Sequence, residues 1–170
     1  MAILTVLHYP DPNLRKIAMP IESIDADIRR LAQDMLETMY DERGIGLAAT
    51  QVNIQKRLIV MDLSEEKNAP LILVNPEITA AEGSEESQEG CLSVPGYYEK
   101  VTRSEKICYR YLGIDGQIVE DKADGLLSVC IQHEIDHLDG KLFIDYISPL
   151  KRQMLQKKLK KQEKQSLQVL

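Results

Sequence analysis

His133-Glu134-Ile135-Asp136-His137 is the stretch of this chain whose residue types and spacing can do chemistry. Two imidazoles four residues apart on a helix lie on one face and can grip one metal ion, and the glutamate between them can serve as general base. A catalytic metal site usually takes three protein ligands and keeps a fourth position open, so a third donor must come from elsewhere in the chain. An open site of this kind lowers the pKa of a water and polarises a carbonyl, which suits hydrolysis. In proteases whose motif runs on to a third histidine, that residue lies six positions beyond the second. Here Gly140 is in register for such a motif but the ligand position holds Phe143, which cannot bind metal. Proteases that take a glutamate from a later helix need one well downstream, and the only glutamate after His137 is Glu163, inside a lysine-rich tail.

Other candidate donors are few. His8, beside Tyr9-Pro10-Asp11-Pro12, has no partner at metal-ligand spacing and reads as structural or exposed. Cys91 follows a glycine in Glu89-Gly90-Cys91-Leu92-Ser93, where backbone can approach a ligand closely, and a thiolate there would complete a Cys-His-His site. Taken alone it reads more simply as a small buried residue. Cys108, in a strand-like run, and Cys130, one helical turn before the histidine motif, read as small core residues. Asp136 lies on the same side as His133 without a ligand's reach, as a group behind the ligands, a salt-bridge partner or a solvated carboxylate.

Three separated blocks, Gly44-Ile45-Gly46-Leu47-Ala48-Ala49-Thr50-Gln51, Glu89-Gly90-Cys91-Leu92-Ser93 and Gln132-His133-Glu134-Ile135-Asp136-His137, together resemble the peptide deformylase family, in its order and with similar separations. The flanking text from Asp11-Pro12-Asn13-Leu14-Arg15 to Phe143-Ile144-Asp145 is similar as well. The resemblance implies a hydrolase that removes formyl from the N-terminal methionine of nascent polypeptides. It implies Cys91, His133 and His137 as metal ligands, Glu134 as base and then acid, and the Leu92 backbone N–H with the Gln51 amide as donors to the oxyanion. Ile45 and Gly46 would flank an extended peptide, against the plainer reading of a glycine turn. Ile45, Leu92, Leu126, Cys130 and His133 would form an apolar methionine pocket, against a core-only role for Leu126 and Cys130. The implied ion is iron(II). Ligand type alone equally admits zinc, nickel or cobalt. Iron beside a thiolate would make the site oxygen-sensitive, because oxidation of Cys91 removes a ligand. Where some members carry an arginine soon after Ser-X-Pro, this chain has Gly96-Tyr97-Tyr98, leaving Tyr98 or Arg103 as candidates for that contact. A metalloprotease with an unusual third ligand and a non-catalytic, metal-binding, ribosome-associated protein stand as alternatives.

The elements that must position these residues follow from pattern. A length of 170 residues with 44% hydrophobic content suits one catalytic domain over 1–170, with a helical tail from about 149 to 170. A short helix is expected after Asp11 and a longer one over 25–40, with Ile28, Leu31, Ala32, Met35, Leu36 and Met39 as its buried stripe. Strands are expected over 57–63, 71–75, 106–112 and 117–123, with Asp115-Gly116 as a turn. The histidine motif falls on a helix over 125–138 too apolar for an exposed element. The fold class is α+β, with mixed or antiparallel sheets packed around that central helix, plus a C-terminal helix. Three cysteines at irregular spacing and an N-terminus without signal-peptide form argue for a reducing, cytoplasmic setting. No membrane-spanning run follows. A net charge of −6 disfavours nucleic acid as the main partner. The seven Lys or Arg residues between Lys151 and Lys164 read first as a solvated face, and by the resemblance as a ribosome-docking element.

Overall fold

In the computed structural model, which describes residues 2–169 and, in the last helix, side chains as far as Glu163, Asp25 opens the first long helix. Its carboxylate accepts the Ile28 N–H at 2.9 Å, and α1 runs Ala26–Asp41. Ile28, Ala32, Met35, Leu36 and Met39 are buried, with half-buried Leu31 packed against them. The helix closes with the Gly44 N–H donating to Met39 C=O at 2.9 Å across Arg43, whose φ of +58° makes the left-handed turn. That turn delivers the chain into Gly44-Ile45-Gly46.

An antiparallel five-stranded sheet follows, in the order β1 (Gly46–Ala48), β2 (Leu58–Met61), β3 (Leu71–Glu82), β6 (Lys106–Leu112), β7 (Ile118–Asp124). β2 is apolar at every position because both of its faces are covered. Leu58 and Val60 join the α1 cluster, while Ile59 and Met61 join Ile131, Ile135 and Leu138 of α2 (Gly125–Leu138). Each such burial contributes about 1.5–3 kcal/mol. A separate ribbon of β4 (Glu85–Cys91) and β5 (Val94–Arg103) packs Val94 and Val101 on Leu142, Phe143, Ile144 and Ile147, and on Leu155 of α3 (Pro149–Val169). Among the described residues no helix is long and apolar enough to cross a membrane.

The expected helices form close to their expected bounds, with a 3-10 turn over Pro12–Arg15. The α+β class holds, and every pairing between named strands is antiparallel. Three strands lie outside the expectations. β1 is only three residues long, and β4 and β5 are dominated by polar residues because most of their surface faces solvent. Burial of α2 begins later than its apolar first turn suggests, since Leu126 is 57% exposed. Cys108 is half-buried instead of a core residue, because Ile107 and Tyr109 on either side of it take the inner face of β6.

Candidate active site

α2 carries His133 and His137 on one face, one turn apart, with their Nε2 atoms 3.2 Å from each other. Cys91, at the end of β4, brings Sγ to 3.3 Å from His137 Nε2. The register shift between Gly90, paired with Tyr98, and Cys91, paired with Val94, breaks the regularity of the β4–β5 ladder at the cysteine, whose Sγ meets the helix. The donor atoms of Cys91, His133 and His137 lie within 4.8 Å of one another. Ligand bonds of about 2.0–2.3 Å arranged tetrahedrally set neighbouring donors about 3.3–3.7 Å apart, so the set fits one metal ion. His137 is 1% exposed, and burial, then the charge of its neighbour His133, holds its imidazole well below its ordinary pKa. Neutral imidazole is the ligating form. Phe143, at the register where some proteases carry a ligand, instead packs its ring 6.0 Å from that of His133.

Glu134 is 4% exposed, and burial pushes its carboxyl up to about 7, against the opposing pull of His133 and Arg103. A cation held by the three donors pulls the same way as those two. Its Oε2 has no hydrogen-bond partner among the described residues, which leaves an acceptor beside the ligand set. Gln51, 1% exposed, has its orientation fixed by the Ala48 N–H, which donates to Oε1 at 2.9 Å. Nε2 therefore turns the other way, donating to Ser93 Oγ at 3.0 Å and lying 3.6 Å from Cys91 Sγ.

Behind the ligands runs a charged network in which Asp136 is the salt-bridge partner expected from the sequence and Glu89 and Arg103 are members the sequence did not announce. Glu89, 5% exposed, meets His133 Nδ1 at 2.9 Å through Oε1. Arg103 donates to both Glu89 oxygens, at 2.6 and 2.9 Å, and to Asp136 at 2.8 Å, and Tyr146 adds its hydroxyl to Asp136 at 2.8 Å. Burial opposes ionisation of Glu89, but His133 and Arg103 outweigh it and hold the carboxyl below its ordinary value. A carboxylate on the outer ring nitrogen fixes the imidazole so that Nε2 faces the metal position. Arg103 is thereby ruled out as a substrate contact: both of its working faces are bound and it is 8% exposed. Its partner sits fourteen positions earlier on the facing strand, a separation that no local motif announces. Arg103→Ala leaves the buried Glu89 carboxylate with the His133 ring as its one remaining partner in this network and should cost about 3 kcal/mol in denaturant unfolding. Adding Glu89→Gln should recover part of that loss.

A pocket of about 520 Å³ opens over the ligand set, lined by Ile45, Gly46, Gln51, Cys91, Leu92, Leu126, Cys130, His133 and Glu134 among others. All the residues expected to surround the substrate are there, and exposed Leu126 is explained by its place on the rim. Cys130 serves both readings, 8% exposed in the sheet-side cluster and on the pocket wall, and burial pushes its thiol up to about 12, so it stays neutral. Val129, Tyr97 and His8 also line the pocket; His8 is exposed at the rim and takes no part in the ligand set. Tyr98, 63% exposed, lays its ring across Gly90, where a Cβ would stand 2.5 Å from Cε1. At Gly46 a Cβ would meet the Glu134 carboxyl carbon at 3.2 Å. Gly46→Ala should therefore displace Glu134 by a few tenths of an ångström and lower kcat about tenfold with an unchanged circular dichroism spectrum.

The polypeptide deformylase family model matches residues 3–153 of the chain. A peptide deformylase of Azotobacter vinelandii is 63% identical over 166 residues, covering 97% of this chain and 99% of that protein. The crystal structure of a peptide deformylase from Legionella pneumophila superposes with a TM-score of 0.92 at 48% identity, covering 98% of each chain. That of a peptide deformylase from Ehrlichia chaffeensis in complex with actinonin superposes with a TM-score of 0.91 at 40% identity, covering 96% of this chain and 99% of the other.

Proposed function

The chain belongs to the polypeptide deformylase family, and on that premise we propose that Cys91, His133 and His137 hold its metal, Glu134 moves the proton, and Gln51 with the Leu92 N–H receives the oxyanion. The enzyme removes the formyl group from the N-terminal methionine of nascent polypeptides. The observation that carries the assignment of roles is the convergence of one thiol and two imidazoles beside a buried carboxylate with an unpaired oxygen, at the floor of a pocket.

A divalent ion bound by these ligands would lower the pKa of a water and polarise the formyl carbonyl. Glu134 Oε2 takes a proton from the water as its oxygen bonds to the formyl carbon. As the carbon–nitrogen bond breaks, the same carboxyl gives a proton to the departing amine, leaving formate and a free N-terminus. Gln51, held by the Ala48 N–H, directs one Nε2 hydrogen to Ser93 Oγ and keeps the other on the side of Cys91 Sγ at 3.6 Å, a contact long enough to give way to an oxyanion. Ile45, Leu92, Leu126, Cys130 and His133 enclose the methionine side chain. β1 is an edge strand, paired only with β2, so the main chain of Ile45 and Gly46 can receive an extended peptide on its free side. Tyr98 takes the position of the arginine found in some members. Actinonin, bound in the Ehrlichia protein, would occupy the same pocket here.

The ion we assign is iron(II), with zinc, nickel or cobalt as substitutes, on the strength of the thiolate–imidazole set and the family resemblance. The chain 1–170 acts as one cytoplasmic catalytic domain, and the basic face of α3 docks on the ribosome that presents the substrate. The deciding test is formate release by anaerobically purified, iron-loaded protein from a formyl-methionyl tripeptide, beside its acetylated twin and an internally cleavable peptide. Release from the formyl peptide alone supports the reading. Cleavage of the internal bond would make it a protease, and no turnover by folded, metal-replete protein would reduce it to a binding protein.

A further inference from the structure

Asp62 lies at the end of β2, is 0% exposed, and belongs neither to the ligand set nor to the network behind it. Its carboxylate is saturated. Oδ1 accepts the Ser64 N–H at 2.9 Å and the Ser64 hydroxyl at 2.5 Å, and Oδ2 accepts the Tyr40 hydroxyl at 2.6 Å and the Ala69 N–H at 3.3 Å. Those bonds, Ser64 first and Tyr40 next, hold the carboxyl down to about 2. The backbone N–H of Asp62 donates to Ile45 C=O at 2.9 Å, one step beyond the β1–β2 ladder that pairs Gly46 with Met61. Tyr40 lies in the closing turn of α1, where its own C=O accepts the Arg43 N–H at 3.0 Å. The segment from Glu42 to Gly46, which forms one wall of the pocket, is thus anchored at its start by the turn containing Tyr40. At its end it is anchored by the N–H of Asp62. The Tyr40–Asp62 bond ties these two anchors to each other.

We propose that Tyr40 and Asp62 are positioning residues, a clamp behind the pocket wall that sets the free edge at Ile45-Gly46 to the height at which the peptide beyond methionine pairs with it. The inference rests on the deformylase reading for its substrate and on the hydrogen-bond geometry for its structure. A carboxylate suits the role because four donors converge on two oxygens, whereas an asparagine would turn an NH2 group toward donors it cannot accept from. The clamp makes no contact with the metal ligands or with Glu134, and its effect is largest on residues after methionine, which meet the enzyme through the edge it holds.

Tyr40→Phe removes one hydroxyl and keeps the ring. With the formyl-methionyl tripeptide it should raise KM about threefold to tenfold and change kcat less than about twofold. With formyl-methionine amide, which has no further residue to pair and meets the held edge only through the side chain of Ile45, both constants should change less than about twofold. Asp62→Asn should shift the same ratio further in the same direction. Equal losses on both substrates, or no loss on either, overturn the clamp. Amide exchange gives a reading independent of turnover: the Gly44 and Asp62 amides, each bonded in the native structure, should exchange about tenfold faster in Tyr40→Phe while protection in α2 is kept. Unchanged exchange at both amides overturns the clamp even if the enzyme turns over. Absence of formate release by wild type would instead defeat the deformylase reading, with the exchange result still deciding the clamp.

Discussion

Glu134→Gln is expected to lower kcat by about 10²–10⁴-fold while leaving metal content and fold as they are. The substitution keeps side-chain volume at a position that is 4% exposed, so packing against Gly46 is preserved. What changes is the capacity to take and return a proton, since an amide cannot accept one at working pH. Metal content is spared because Glu134 stands outside the group of Cys91, His133 and His137 whose donor atoms converge on one point. A fall in kcat with KM nearly unchanged, in protein carrying the wild-type complement of metal, is the expected pattern. Unchanged turnover in the metal-loaded variant would remove Glu134 as the base and leave the water to be activated by other means.

The ligand helix was readable from five residues because a metal site written on one helix face needs no information from the rest of the fold. α1 was readable for a similar reason, since its stripe of Ile28, Ala32, Met35, Leu36 and Met39 is local and periodic. The β4–β5 ribbon was not. Glu85, Glu86, Glu99 and Lys100 leave no apolar alternation along strands that pack mainly through Val94 and Val101. The same ribbon supplies Cys91 and Glu89, so the third ligand stood out only through its glycine neighbour and the family resemblance, and the carboxylate that orients His133 did not stand out at all. Arg103 is a candidate for touching substrate in the sequence because Gly96-Tyr97-Tyr98 follows Ser93-Val94-Pro95 where some family members carry an arginine. Its burial between Glu89 and Asp136 is a consequence of strand pairing, which composition does not report. Residues that do chemistry through neighbours on the same element are legible, and those that act through a partner on another element become legible only once the elements are docked.

Cys91→Ser should separate the ligand from the base. In the structure Sγ is met by the Ser93 N–H at 3.4 Å and by Gln51 Nε2 at 3.6 Å, so negative charge on the sulfur, once a metal draws the thiolate, is received by two N–H donors. A serine hydroxyl is harder, its bond to carbon is shorter, and it does not ionise at neutral pH, so the two imidazoles would be left to hold the ion almost alone. Loss of an outer partner of a metal ligand commonly costs about 10–100-fold in affinity, and loss of the ligand itself should cost at least the upper end of that range. The expected result is protein that unfolds near the wild-type midpoint in the apo form, loses its metal on dialysis, and shows activity in proportion to the metal retained. Glu134→Gln should behave in the opposite way, full of metal and slow. A Cys91→Ser enzyme that retains its full iron content and turns over at normal rates would remove Cys91 from the ligand set, and the two imidazoles would then need a third donor that the geometry around His133 and His137 does not offer among the described residues.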